Sequence, residues 1–142
     1  MRYNQGMRRD VDFRLFIGDW LLLLLFVFIG QRDHAMDLVG SLPSLLTTTL
    51  ALALPWTAAA WALGVLRPPD SAEWRPWLGR VAAAWLIAAP LGLLLRALLR
   101  GQAAIAVPFM LVILGLGLLF MVGWRAVVWW WVKRGRGERE KG

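Results

Sequence analysis

The sequence predicts an all-α fold, a polytopic membrane protein built as a bundle of four transmembrane helices. Three observations lead there. Of 142 residues, 59% are hydrophobic and 18% charged, and the mean hydropathy of +0.58 lies well to the apolar side of a soluble domain. A soluble core of this size cannot hide so many apolar side chains, because a folded chain of this length still exposes about a third of its unfolded surface. Finally, runs free or nearly free of charge recur along the chain, each near or above the roughly 20 residues that cross about 30 Å of hydrocarbon.

The first helix is expected over 15–30, with Asp19 inside it and leucines at every position from 21 to 25. Charged ends that snorkel make so short a stretch a credible span. Its basic lead (Arg2, Arg8, Arg9, Arg14) has the character of a signal peptide. The following Gln31-Arg32-Asp33-His34-Ala35 lacks a small-x-small cleavage pattern, so the helix is expected to be retained. The second and fourth helices fall in the uncharged runs 38–66 and 101–124. The third occupies 81–95, brought to spanning length by Leu78 in front and the turn carrying Arg96 and Arg100 behind.

Between helices two and three, Arg67-Pro68-Pro69-Asp70 is a turn no helix can run through, with Trp74 and Trp77 on its far side. Trp129, Trp130 and Trp131 before Lys133 and Arg134 have the makings of an interfacial aromatic belt with a basic anchor. The chain thus divides into a basic N-terminal tail (1–14), a transmembrane domain (15–132) and a basic C-terminal tail (133–142), with the glycine-interrupted stretch 135–142 expected to be disordered.

Four spans put both termini on one side. That side holds thirteen of the sixteen basic residues, and the other only Arg32, Arg96 and Arg100. The positive-inside rule makes the first side cytoplasmic. This asymmetry accounts for the formal net charge of +7 without nucleic acid as a partner, and gives the chain a basic face for anionic lipid.

Chemistry-bearing residues are few. Cysteine is absent and histidine occurs once, which removes thiolate chemistry and His/Cys metal clusters. No metal or cofactor is expected. Asp19 is the only acid within a span, and such a residue pairs or lines a wet cavity. Arg125, at a compatible depth in the fourth helix, is its expected partner, with Arg14 or Arg80 as substitutes. A structural ion pair is the commoner arrangement, a proton or cation site the sharper one.

At the other end, Arg96 and Arg100 share a helix face. With Arg32 and His34 of the first loop they could form an anion pocket, against the plainer alternative of arginines snorkelling to lipid phosphates. Pro55 and Pro90 are expected to kink helices two and three, freeing the carbonyls of Ala51 and Leu86, with Thr47, Thr48, Thr49 and Thr57 at hand to satisfy the backbone. Trp56, Trp61 and Trp85 fall too deep for an interfacial belt, as space fillers or as a cradle for a ligand. Ala88 and Gly92 would admit a neighbouring helix closely.

Several of these residues form an ordered series: Phe26-Val27-Phe28-Ile29-Gly30-x-Arg32-x-His34, Pro55-Trp56, Pro90-x-Gly92-x-x-x-Arg96 with Gly101, Pro108-Phe109-x-x-Val112 and Gly123-Trp124-Arg125, with Asp19 after Gly18. In this order and spacing the chain resembles the uncharacterised membrane family catalogued as domain of unknown function 3054, over roughly 15–125. It departs from that pattern at Gln31 and Asp33, where the family more often has Arg and Ser, lowering the local positive charge. The resemblance implies a prokaryotic four-helix integral membrane protein and supplies no reaction.

The expected function is therefore that of a small, non-enzymatic protein of the cytoplasmic membrane, binding a ligand, a second copy or a partner membrane subunit. No nucleophile, base and orienting group come together for catalysis. The alternative is a small proton-coupled transporter acting as a dimer. Small multidrug resistance transporters also have four short spans and an acid in the first, but here the acid sits nearer the cytoplasmic end and the arginines repel a cationic drug.

Overall fold

The structure, a computed structural model, describes residues 11–32, 42–69, 72–101 and 107–139. It contains four helices, α1 (Phe13–Arg32), α2 (Leu42–Ala62), α3 (Trp74–Leu99) and α4 (Val107–Arg139), each long and apolar enough to cross a membrane. Among the described residues there is no strand. Sequential helices pack on one another, and α4 returns to α1 to close the bundle.

Both sides of these helices are apolar. On α1 the buried residues Leu15, Asp19, Leu23 and Val27 recur every fourth position, and so do the exposed Phe13, Ile17, Leu21, Leu25 and Ile29. Water cannot be the solvent of such an outer face; lipid is. Since lipid tails are as apolar as leucine, association rests on close packing and polar contacts. Helices α2 and α3 accordingly bury small residues, Ala51 and Ala53 on the one and Ala84, Ala88 and Ala89 on the other, and the two pack on each other. Gly92 sits so near α2 that a Cβ on it would lie 2.9 Å from the Ala51 carbonyl oxygen, the acceptor that Pro55 leaves without its helical donor. Both α2 and α3 continue through their prolines. Thr47 and Thr57 donate to carbonyls four residues back, but those of Pro43 and Ala53.

Helix termini follow local chemistry. Asp12 caps α1: its Oδ1 accepts the Arg14 N–H at 2.9 Å and its carbonyl accepts from Leu15 and Phe16. The Asp12 N–H in turn donates to the Leu66 carbonyl at 3.0 Å, tying the start of α1 to the α2–α3 turn. Helix α2 ends in a Schellman motif. Val65 donates to the Ala60 carbonyl at 2.9 Å and Gly64 to Trp61 at 3.1 Å, with Gly64 in the left-handed region at φ 67°. No atom lies within 4 Å of a Cβ built on Gly64, so Gly64→Ala costs only its backbone conformation. A loss of about 1–2 kcal/mol is expected in detergent unfolding, whereas Gly79→Ala, also in open space but within α3, is expected to be neutral or slightly stabilising.

Two expectations need correction. The chain does not fray at residue 135, because α4 runs on to Arg139. Lys133 lies over the Trp129 ring at 5.1 Å and Arg134 over Trp130 at 4.4 Å. These are (i, i+4) pairs that support the last turns, where basic groups also suit the helix dipole. The second concerns Trp61. Since α2 stops at Ala62, Trp61 stands at the bundle's end, 69% exposed, and is not deep. Trp74 and Trp77 belong to the first turn of α3, Trp74 stacking on Trp129 with centroids 5.0 Å apart.

Candidate functional site

Three helices bring their polar residues to one point inside the bundle. Asp19 of α1 and Arg125 of α4 are both fully buried and paired, Arg125 Nη2 donating to Asp19 Oδ2. Trp56 of α2 donates from Nε1 to the same oxygen at 3.0 Å. Arg125 Nη1 donates to the Val65 carbonyl at 2.8 Å, and the guanidinium lies over the Trp77 ring, 5.4 Å from its centroid. Trp77 Nε1 also donates to Val65, at 3.3 Å. The Schellman turn is what turns this carbonyl inward, since Val65 is the residue just past the left-handed glycine.

The adjoining residues set the approach. A Cβ on Gly18 would overlap the Trp124 indole, so the dipeptide Gly18-Asp19 meets Trp124-Arg125 as a unit. Asp19 Oδ1, Trp124 Nε1 and Arg125 Nε make no hydrogen bond among the described residues. Arg125 is thus the partner the sequence predicted, and Arg14 and Arg80 are not. The Val65 carbonyl and the Trp56 and Trp77 indoles went unpredicted. A backbone acceptor leaves no trace in a sequence, although a glycine shortly before a Pro-Pro turn is the signal that could have located it.

The opposite end of the bundle gathers a second group. Arg96 Nε donates to Thr48 Oγ1 at 3.2 Å, and its guanidinium lies 5.1 Å from the centroid of the Phe109 ring. Arg100 Nη2 and Gln31 Nε2 both donate to Ser44 Oγ, the latter at 3.1 Å. Gly101, at φ 61°, ends α3 just behind them. Arg96 and Arg100 therefore stand together as expected. Arg32 does not join them: its guanidinium lies over Phe28 of its own helix, 5.9 Å from the centroid. His34 and Asp33 lie outside the described residues.

Between α1 and α2 a cavity of about 430 Å³ is lined by Phe16, Ile17, Trp20, Leu21, Leu24, Leu46, Thr49 and Leu50. It does not reach Asp19. Among the described residues no three His, Cys, Asp or Glu side chains are grouped to hold a metal.

A family model described as "Protein of unknown function (DUF3054)" matches residues 16–128, a span that contains Asp19, Trp56, Arg96 and Arg125. No curated protein and no solved structure matches the chain.

Proposed function

The chain belongs to the DUF3054 family, and from that premise we propose that it is a non-enzymatic membrane protein that acts by holding a ligand, a second copy or a partner subunit against its four-helix bundle. One observation carries this reading: the intramembrane carboxylate is engaged from within. Asp19 is fully buried, bonded to Arg125 and Trp56, and the α1–α2 cavity does not include it. Proton coupling needs an acid that water reaches; a pair clamped between α1, α2 and α4 suits a scaffold. The lipid-facing leucines of every helix offer surface for a neighbouring helix. The basic side of the bundle, with both termini, faces the cytoplasm, which makes the prokaryotic cytoplasmic membrane the natural location.

The transporter alternative has one observation in its favour, the Asp19 Oδ1 that takes no hydrogen bond among the described residues. Reconstitution separates the two. In proteoliposomes under an imposed pH gradient, wild type and Asp19→Asn are expected to show the same proton leak as empty vesicles, while crosslinking in native membranes traps a stoichiometric partner or a second copy. Substrate-driven proton flux that Asp19→Asn abolishes would replace the scaffold reading with the transporter.

A further inference from the structure

We infer that the Arg96–Arg100 end of the bundle is a binding site for a phosphate group, carried by a phospholipid headgroup or by a free phosphate ester. The inference goes beyond the scaffold reading and does not involve the Asp19–Arg125 pair. Two guanidinium groups one turn apart on α3 repel each other, and no carboxylate among the described residues pairs with either: the ion pair present is that of Asp19 with Arg125. Among the described residues their side-chain hydrogen bonds go to neutral hydroxyls, Thr48 for Arg96 and Ser44 for Arg100, which position the charges.

Arg96 is fixed on two sides, by the Thr48 hydroxyl at its Nε and by the Phe109 ring against its face. Among the described residues no side chain hydrogen-bonds to its Nη1/Nη2 edge, the fork that takes two oxygens of a phosphate at once. Gln31 Nε2 donates to the same Ser44 hydroxyl as Arg100, so α1, α2 and α3 are joined through that one oxygen. The flanking Leu98 and Leu99 are exposed and apolar, so the site opens beside hydrocarbon. A ligand with an anionic head and acyl chains satisfies both surfaces.

The test uses the full chain in neutral detergent, incubated with equimolar phosphatidylglycerol and diacylglycerol of the same acyl chains and examined by native mass spectrometry. Wild type is expected to retain the phospholipid about tenfold over diacylglycerol, and Arg96→Gln/Arg100→Gln to bring the ratio to within about twofold of unity. Arg32→Gln, which removes an equal charge from a residue engaged elsewhere, is expected to leave the ratio unchanged. Should the double glutamine variant fail to fold, Arg96→Lys/Arg100→Lys keeps both charges but lacks the fork, and is expected to lose most of the preference. In a second arm, millimolar glycerol phosphate that raises the wild-type unfolding midpoint, but not that of the arginine variants, marks a free ester as the source; enrichment of phospholipid without that rise marks the lipid. A wild type with neither response, a folded double variant with the wild-type ratio, or an equal loss in Arg32→Gln would overturn the site.

Discussion

Asp19→Ala and Arg125→Ala are each expected to destabilise the bundle by about 3–5 kcal/mol, because each leaves the other charge buried and uncompensated. The readout is the unfolding midpoint in a fixed detergent, followed by far-UV circular dichroism. The two substitutions are not expected to add. In Asp19→Leu/Arg125→Met both charges are gone and apolar groups of similar length occupy the space, so most of the loss returns. The remaining deficit reports the other members of the cluster, since Trp56 Nε1 and the Val65 carbonyl each lose a partner at about 1 kcal/mol apiece. A double variant no more stable than either single alanine would mean that the two side chains do not act as a pair.

Trp85→Ala is expected to cost a comparable 3–5 kcal/mol, or about the loss of any large core aromatic. The ring is fully buried, its centroid 6.0 Å from that of Trp56, and Nε1 donates across the α3–α4 interface to the Leu114 carbonyl at 3.2 Å. Trp85→Phe keeps most of the packing and is expected to lose about 1 kcal/mol with the hydrogen bond. Opposite the indole, Gly117 has no space for a Cβ, which would lie 2.6 Å from Trp85 Cε2. Gly117→Ala is therefore expected to destabilise the wild type yet be close to neutral beside Trp85→Ala, a coupling that a double-mutant cycle measures directly.

Membrane class and helix number were legible in the sequence because they rest on composition and on charge-free runs, which survive any ignorance of packing. The Asp19–Arg125 pair was legible because a lone acid within a span demands a countercharge and depth narrows the candidates. The motifs of the family series divide between two places: Gly18-Asp19, Pro55-Trp56 and Trp124-Arg125 around the inner pair, and Gly92, Arg96, Gly101 and Phe109 toward the far end. Spacing along the chain could not sort them, because partners such as Thr48 and Arg96 lie 48 residues apart. The continuation of α4 past its glycines was misread because Gly135 and Gly137 signal a breaker locally, while the ring contacts of Lys133 and Arg134 that sustain the helix lie upstream. Trp61 was misplaced because the uncharged run extends beyond Gly64, where the backbone turns.

Asp19 and Arg125 are separated by 106 residues, so the helix that carries the acid is synthesised well before the one that carries its counterion. At about 5–20 residues per second the ribosome takes roughly 5–20 s to supply it. During that interval the nascent chain holds a carboxylate that the bilayer tolerates poorly, and only arrival of the fourth helix completes the set. Assembly is thus complete only when α4 docks, and a chain cut short before Arg125 keeps a buried carboxylate with no countercharge.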